Sequence, residues 1–389
     1  MNISEFCKIY TGTGFPIEYQ GKKNGKYPFY KVSDISISNT QQKIFLDNAN
    51  HYIDESDLSL LKGNLIPAGT IVFAKIGEAL KLNKRAITSC ECLIDNNVIG
   101  IKPDDNIINL LYFYYYLLKI DMLHYSESTT LPSVRKSTIE KIKVKIPPID
   151  IQNKRVTILN ICHKIIKYKV ELLHNLDLLV KSRFVDLFGD IELNDRKWKK
   201  IKFGELIKLA NNGLARRGND KEGNIVLRLI ELQENLINYS DPNRILLTDD
   251  EKKRYRLLEG DLLFARVNGN PKNVGRCATF YKYKEQVYHN DHIIRTSCDK
   301  SQLDSVFAAY LFNSEYGKNR ISRKIKTSAG QYTINQDGLK SIEIILPPIG
   351  IQYSFAEFVK QINKLKSDVQ KSIDETQLLM DSLMQEYFG

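Results

Sequence analysis

Two loops rich in basic and amide side chains contain the residues of this chain most suited to chemistry. Each loop follows an apolar segment that ends in Phe-Ala-Lys or Phe-Ala-Arg, at residues 73–75 and 264–266. Arg, Lys and Asn side chains pair with base edges or neutralise phosphates. Because the cluster occurs twice, it predicts two nucleic-acid contact surfaces. The candidates are Lys75, Lys81, Lys84 and Arg85 in the first loop and Arg266, Asn268, Asn270, Lys272 and Arg276 in the second.

Further loops combine glycine with small polar residues, at 11–14 (Thr-Gly-Thr-Gly) and 211–213 (Asn-Asn-Gly). Glycine lets a backbone approach a partner closely, and loops of this kind often carry binding residues. We therefore add the polar and basic residues in and near such loops to the predicted nucleic-acid-contacting set. They are Thr11, Thr13, Asn211, Asn212, Arg216, Arg217 and Gln331.

The sequence does not match the catalytic motifs of a methyltransferase or a nuclease. An adenine methyltransferase needs Asn or Asp before Pro-Pro and an aromatic after it, whereas the pairs at 147–148 and 347–348 have Ile or Leu before and Ile after. Asp241, Glu251 and Lys253 have a spacing loosely compatible with a nuclease, but the corresponding Asp54-Glu55 lacks a matching lysine. Acidic residues at the start of a helix explain both acidic runs. We predict no catalytic residue in this chain.

Metal-binding and membrane signals are also weak. His289 and His292 form an isolated HxxH, and Cys90 and Cys92 have no further ligands to complete a zinc set, so no metal site is predicted. The six cysteines are scattered and no apolar signal segment opens the chain, which predicts a reduced, cytoplasmic protein. The most apolar run, 107–123, contains two charged residues and predicts a core helix instead of a membrane span.

The charge balance favours a polyanionic partner. The chain has 57 basic and 46 acidic residues, a net charge of +11, and residues 190–348 alone have 28 basic against 21 acidic. Excess positive charge on globular regions is typical of nucleic-acid binding.

The chain is a tandem duplication. Ile-Pro-Pro-Ile-Asp-Ile-Gln at 146–152 returns as Leu-Pro-Pro-Ile-Gly-Ile-Gln at 346–352, and Phe-Gly at 188–189 returns at 388–389. The segment between these landmarks keeps its length, while the regions upstream differ by insertions. The repeat predicts a first globular head at 1–148, a long helix at 149–189, a second head at 190–348 and a second long helix at 349–389.

The two long helices are predicted to pack against each other. Apolar residues recur at intervals of three, four and seven after each Pro-Pro pair, and proline fits the first turn of a helix. We expect an antiparallel coiled coil, although each helix could instead pack on its own head. The predicted interface consists of Ile158, Cys162, Ile165, Leu172, Leu176 and Leu179 with Phe358, Ile362, Leu365, Val369 and Ile373.

Both heads mix short strand-like segments with a few helices, which predicts an α+β fold with mixed sheets. The predicted strands are 27–35, 70–76, 86–94 and 97–102 in the first head and 225–232, 261–267, 276–283 and 292–297 in the second.

The whole chain resembles the specificity subunit of type I restriction-modification enzymes. The resemblance rests on the two Pro-Pro-Ile-x-x-Gln segments, the Gly-x-x-x-Phe-Ala-(Lys/Arg) strands, Asn-Asp-His-Ile-Ile-Arg at 290–295 and Gly-Gln-Tyr-Thr-Ile-Asn at 330–335, in this order. The family usually has Glu where this chain has Ile151 and Ile351.

The resemblance implies a non-catalytic DNA-binding subunit with two target recognition domains, each recognising half of an asymmetric split site, and helices that set the spacing. It further implies two modification subunits that use S-adenosylmethionine, and restriction subunits that use ATP and Mg, with no cofactor in this chain. A two-headed scaffold without DNA specificity and a nuclease with an unrecognised motif are the alternatives. Sequence-selective binding to bipartite DNA would distinguish a specificity subunit from a scaffold without DNA specificity. Activity of the isolated chain on nucleic acid would support the nuclease alternative.

Overall fold

The computed structural model describes residues 1–61, 63–126, 131–328 and 330–389. The chain forms two compact units, one of residues 1–173 with 368–389 and the other of residues 174–367. Each unit therefore contains one head and part of each long helix. Both heads combine sheets with helices, as the α+β prediction states.

The first head contains a five-stranded sheet in the order β1-β8-β5-β6-β3 and a smaller sheet in the order β4-β2-β7. Its strands are β1 (Cys7–Thr11), β2 (Tyr27–Tyr30), β3 (Phe45–Leu46), β4 (Tyr52–Ile53), β5 (Ile71–Ala74), β6 (Ala86–Thr88), β7 (Leu93–Ile94) and β8 (Val98–Pro103). Its helices are α1 (Val32–Thr40), α2 (Glu55–Leu61), α3 (Glu78–Lys81), α4 (Leu110–Lys119) and α5 (Lys136–Glu140).

Residues 107–123 contain a core helix, as predicted, whereas the strand predicted at 27–35 is wrong in its second half. The buried aromatic residues of α4 follow Asn109, whose side chain accepts hydrogen bonds from the first turn. After β2 the chain enters α1, because the Asp34 carboxylate accepts a hydrogen bond from the Lys31 backbone N–H (2.7 Å) and so stabilises a helix start. The alternation of apolar and polar residues predicts a strand here, and it does not indicate that a hydrogen bond at a helix start competes with the strand.

The long helix α6 (Ile149–Phe188) joins the two heads along the chain. The second head then contains the strands β9 (Lys199–Lys202), β10 (Ile207–Asn212), β11 (Asn224–Leu227), β12 (Leu232–Gln233), β13 (Leu236–Ile237), β14 (Arg244–Ile245), β15 (Leu262–Ala265), β16 (Val267–Asn268), β17 (Cys277–Thr279), β18 (Val287–His289), β19 (Ile293–Cys298), β20 (Lys326–Ser328), β21 (Gln331–Thr333) and β22 (Glu343–Leu346). Its helices are α7 (Asp249–Tyr255), α8 (Ser305–Asn313), α9 (Glu315–Ser322) and α10 (Gln336–Lys340), and α11 (Ile349–Phe388) follows.

The central strands of the two heads correspond. In the second head the main sheet has the order β10-β19-β15-β17, which matches β1-β8-β5-β6 of the first. The antiparallel register pairs Val72 with Gly100 and, at the same place, Leu263 with Arg295. The Arg295 guanidinium is buried and donates to the carboxylate of Asp261 (2.7 Å). The duplication therefore extends to strand register, while the buried side chains differ.

The helices α6 and α11 are both 40 residues long and begin directly after Pro-Pro, as predicted. Gly189 closes α6 in a left-handed conformation (φ 74°) that a side chain would strain. Within each unit the two helices run antiparallel, since partners later in α6 lie earlier in α11. The contacts, in order along α6, are Arg155–Tyr387, Lys169–Ser372, Asp177–Lys366 and Phe184–Phe355.

The glutamine of each Pro-Pro-Ile-x-x-Gln segment connects the long helix to its head by hydrogen bonds. Gln152 is buried, accepts from the Asn109 backbone N–H (2.8 Å) and donates to the Pro147 carbonyl (2.8 Å). In the second copy Gln352 accepts from the Asp304 N–H (2.9 Å) in the same way. Asn109 and Asp304 cap the head helices α4 and α8, so this one residue type fixes the helix against the head in both halves.

The buried face of the helix pair only partly matches the predicted interface. Cys162, Leu176 and Ile362 are buried, and Phe358, Val369 and Ile373 are half-buried. The exposed residues of the predicted set are Ile158, Ile165, Leu172, Leu179 and Leu365. The buried row of α6 instead runs through Val156, Leu159, Cys162, Ile166, Leu176, Val180, Phe184 and Phe188. That face must cover the head core as well as α11, so it follows the 3.6-residue period instead of a strict heptad.

Candidate nucleic-acid interface

A close backbone contact at Gly213 organises one surface of the second head. A Cβ at Gly213 would lie 2.0 Å from the His289 carbonyl oxygen, so only glycine fits. The next residue, Leu214, donates its N–H to that carbonyl (2.9 Å), and the Asp291 N–H donates to the Leu214 carbonyl (3.0 Å). The loop after β10 is thereby held against the turn that enters β19.

The first head repeats this contact at Gly12. A Cβ there would lie 1.9 Å from the Asp95 carbonyl oxygen, and the Thr13 N–H donates to the Ile94 carbonyl (2.9 Å). Gly12 and Gly213 thus occupy equivalent positions, each next to a parallel bridge to the turn before β8 or β19. The glycine loops were predicted as sites of close backbone approach, and the partner approached is the head itself.

A second pair of backbone hydrogen bonds extends the equivalence to the predicted basic strand ends. The Lys75 N–H donates to the Asn97 carbonyl (2.9 Å), and the Arg266 N–H donates to the His292 carbonyl (2.8 Å). Lys75 and Arg266 therefore match, as do Asn97 and His292. Both heads present one shared backbone framework, on which different side chains are displayed.

In the second head the framework displays a cluster of Arg217, Asp291 and His292. The Arg217 Nη1 donates to the Asp291 carboxylate (2.7 Å) and to the Ala215 carbonyl (2.9 Å), and its Nη2 lies 3.1 Å from the His292 Nε2. More than half of the Arg217 side chain stays exposed (56%). Arg217 was a predicted DNA-contacting residue, whereas Asp291 and His292 were missed.

The contact between Arg217 and His292 requires a neutral imidazole, and the pKa of His292 is shifted in the direction that favours this form. Burial lowers the pKa of the His292 imidazole below its ordinary value, the carboxylate of Asp291 opposes the shift, and the guanidinium groups of Arg217 and Arg266 add to it. Because arginine can only donate, the His292 Nε2 must accept, so the proton of the neutral ring lies on Nδ1. His292 and Asp291 together orient one edge of Arg217.

Two further arginines beside the cluster have their charged groups already paired. Arg216 makes a bidentate contact with Glu251 (2.8 Å from both Nε and Nη2), which lowers the pKa of that carboxyl to about 2, with help from Thr248. The Arg228 Nε donates to Glu231 (2.9 Å) in a similar way. These arginines add positive surface, but in both of them Nε and Nη2 are already engaged.

A cleft of about 510 Å³ lies beside this cluster. Its lining combines apolar side chains with arginine, asparagine and histidine side chains. Such a mixture of charge and hydrogen-bonding groups suits the phosphates and base edges of a nucleic acid. The lining residues are Arg216, Arg217, Gly218, Asn219, Val226, Arg228, Leu229, Ile230, Asn243, Ile245, Asn290 and His292.

The predicted loop at 268–276 uses much of its polarity internally. The Asn268 side-chain oxygen accepts from the Asn270 N–H (2.9 Å), and that of Asn270 accepts from the Lys272 N–H (3.0 Å). Lys272 is exposed. Arg276 is half-buried, donates to the Leu229 carbonyl (3.2 Å), and has its pKa lowered by burial. The prediction that this loop contacts DNA stays a prediction, with Lys272 its most accessible charge.

Three other candidates of the second head lie on strands. Asn211 donates to the Arg254 carbonyl (3.1 Å), and Asn212 accepts from the Gln336 side chain (3.2 Å). Gln331 lies on β21 and is exposed. The asparagines mainly stabilise loops, while Gln331 remains available to a partner.

The first head places its predicted residues at different depths. Thr11 is exposed at the end of β1, and Thr13 is half-buried in the glycine loop. Lys75 and Lys84 are half-buried, and the exposed Lys81 pairs with Glu78 (2.5 Å). These side chains stay candidates for DNA contact.

Arg85 is a correction, because the structure buries a side chain predicted to contact DNA. Only 1% of it is exposed, and its guanidinium lies 4.3 Å from the centre of the Phe73 ring. Its Nη2 donates to the Asn83 side chain (2.6 Å), and burial lowers the pKa of the group to about 9. The cation–π contact and the hydrogen bonds make Arg85 a core residue of the first head.

His289, one member of the HxxH pair, is buried and contacts the Tyr255 carbonyl through Nδ1 (3.0 Å). Burial lowers the pKa of His289 to about 4. Within the described ranges, no three His, Cys, Asp or Glu side chains are grouped so that they could hold a metal ion. In the same part of the chain, no helix is long and apolar enough to cross a membrane.

Comparison with known proteins assigns the chain to a family. The family model of the type I restriction modification DNA specificity domain matches residues 1–176 and 195–376. This chain therefore belongs to that family, and the resemblance inferred from its motifs is confirmed.

Individual relatives agree. The chain is 30% identical over 189 residues to the StySPI specificity subunit of Salmonella potsdam, a match that covers 48% of this chain and 41% of that protein. It is 26% identical over 208 residues to the EcoKI specificity subunit of Escherichia coli K12, covering 53% and 45%. These matches span less than half the length of those relatives. The MjaVIII specificity subunit of Methanocaldococcus jannaschii is 22% identical over 384 residues, covering 94% and 86%.

The fold also matches a solved structure, that of a type I restriction-modification S subunit from M. genitalium. The TM-score is 0.57 at 12% identity, with 100% of this chain and 95% of that chain covered. This likeness supports the fold of two heads and two long helices.

Proposed function

We propose that this chain is the specificity subunit of a type I restriction-modification system and recognises a bipartite, asymmetric DNA site, one half with each head. The observation that carries the proposal is the shared framework around Gly12 and Gly213, on which the two heads display different side chains. Two heads that share a backbone framework but display different polar side chains are suited to recognise two different half-sites.

Catalysis in this proposal belongs to partner subunits. Two modification subunits bind S-adenosylmethionine and methylate adenine, and restriction subunits bind ATP and Mg, while this chain binds DNA without a cofactor in the cytoplasm. The Pro-Pro segments support a non-catalytic role, since they begin the long helices and lack the residues of a methyltransferase motif.

An exposed apolar row on α6 is suited to receive a modification subunit. Ile151, Ile158, Ile165 and Leu172 follow one another at intervals of seven and are 37%, 42%, 38% and 44% exposed. A seven-residue apolar repeat is typical of a helix face that packs against another helix. Since α11 covers a different face of α6, we propose that a helical segment of a modification subunit covers this row.

Replacing Ile158 and Ile165 together with glutamate should abolish co-purification with the modification subunit, because two charges would be desolvated in an apolar interface. The exposed Lys167 lies off the row, so Lys167→Glu is a matched control that should keep the complex. Thermal unfolding of the isolated variant should change little. An intact complex with the double variant would contradict the assignment of this row.

Exchanging residues 190–348 for the second head of a relative should change one half of the recognised sequence and leave the other half unaltered, because each head binds its half-site independently. The measurement is adenine methylation by the complex with modification subunits and S-adenosylmethionine, on DNA with both halves randomised and sequenced afterwards. The unexchanged chain, assembled in parallel, is the control.

Other outcomes of the exchange favour other functions. A change in both halves would contradict independent recognition by the heads. If the unexchanged complex showed no sequence preference, the chain would be a scaffold without DNA specificity. If the isolated chain cleaved DNA, it would be a nuclease.

A further inference from the structure

We propose that Arg217 recognises a guanine in the second half-site, with Asp291 and His292 as its positioning residues. The inference rests on the proposed function and deepens it by naming a residue that determines specificity.

The contacts of Arg217 engage one side of the guanidinium and leave the other free. Both Nη1 protons are used by Ala215 and Asp291, and one Nη2 proton by His292. Among the described residues Nε has no partner, and Nη2 has one partner for its two protons. Nε and Nη2 lie on the same edge of the planar guanidinium, the edge that can pair with O6 and N7 of guanine in the major groove.

The positioning residues make the free fork rigid. Asp291 and His292 are 74 and 75 residues distant from Arg217 in sequence but adjacent in the turn before β19. The Asp291 N–H is bound to the Leu214 carbonyl, and the His292 N–H to the side chain of Asn290 (3.1 Å). A long side chain oriented beforehand loses less conformational freedom when it binds.

The neighbouring arginines are poorer candidates. Arg216 presents the same Nε and Nη2 fork, but Glu251 occupies it. Arg228 is paired with Glu231 in the same fashion. Among the arginines that line the cleft, Arg217 is thus the one whose Nε has no partner within the described residues.

The first head has no counterpart of this cluster. Counting from the equivalent Thr13 and Leu214, the position of Arg217 is occupied by Pro16, and Asn97 is equivalent to His292. Proline has no side-chain donor, so Pro16 cannot make the bidentate contact proposed for Arg217. The cluster therefore distinguishes the two half-sites.

The test uses the complex with its modification subunits and measures methylation rates on DNA in which each position of the wild-type target is varied in turn. Arg217→Ala should lower discrimination for guanine at one position of one half-site roughly 5- to 150-fold, the range of a good bidentate pair. The other half-site should keep its full selectivity. Asp291→Asn should give a smaller loss at the same position.

Arg217→Lys separates base recognition from phosphate binding. Lysine keeps the charge but lacks the planar fork, so it should lose discrimination as alanine does while preserving the salt dependence. Arg196, an exposed arginine of the same unit near the end of α6, is the charge control, and Arg196→Ala should leave the target unchanged.

Four results would overturn the inference. They are an unchanged target with Arg217→Ala, an equal loss on all sequences, a loss confined to a base other than guanine, and restoration by lysine. Each leaves the proposed function standing, because the complex would still methylate a bipartite site. If the wild-type complex methylated no bipartite site, the proposed function would fail, and this inference with it.

Discussion

Replacing Phe355 with alanine should lower the free energy of unfolding of its unit by about 3–5 kcal/mol, the usual cost of removing a buried aromatic ring. Phe355 is 0% exposed. Its ring packs against Phe184 of α6 and Tyr310 of α8, with centroid distances of 5.3 and 5.2 Å. One side chain therefore joins both long helices to the second head, and the cavity would weaken both contacts.

The fluorescence of Trp198 is a direct measurement of this effect. It is the single tryptophan of the chain, and its indole N–H donates to the Phe188 carbonyl (2.9 Å) in the same unit. Urea unfolding followed by this signal should show a lower midpoint for Phe355→Ala. Leu365→Ala on the same helix is the control and should cost less than about 1 kcal/mol, since Leu365 is 51% exposed. Equal losses in both variants would contradict the observed helix packing.

The duplicated plan could be predicted from sequence because it depends on local and repeated signals. Pro-Pro begins both long helices, and the terminal Phe-Gly marks their ends. The predicted heptad rows were less reliable, since a helix with two neighbours buries a broader face than a coiled-coil seam. Ile165 has the right residue type at a coiled-coil spacing, yet it is 38% exposed.

The candidate site was harder to predict because it combines distant segments. Arg217 was predicted as a DNA contact because it is an arginine in a polar loop. The orientation of its guanidinium depends on Asp291 and His292, which no spacing rule connects to it. Arg85 shows the opposite error, because a basic residue next to a strand looked exposed and is buried. Aligning the two halves at 95–97 and 290–292 would have identified the divergent turn, since the flanking strands correspond.

Replacing Arg295 with methionine should also cost about 3–5 kcal/mol, again in the unit that Trp198 reports. The Asp261 carboxylate is 1% exposed, and its Oδ2 accepts from the Arg295 Nε and from the Leu258 N–H (both 2.7 Å). Methionine preserves most of the volume but removes the positive charge. The loss therefore reflects a buried carboxylate left with the Leu258 N–H alone.

The double variant Asp261→Asn with Arg295→Met separates the cost of an unpaired charge from any need for the ion pair. Asparagine still accepts from the Leu258 N–H but has no charge, so the double variant should be more stable than Arg295→Met alone. The first head supports this expectation, since Thr70 and Gly100 occupy the equivalent positions and its sheet has the same register without a pair of charges there. If the losses of the two single variants simply added in the double variant, the two side chains would not be coupled, and the buried contact would contribute nothing to this head.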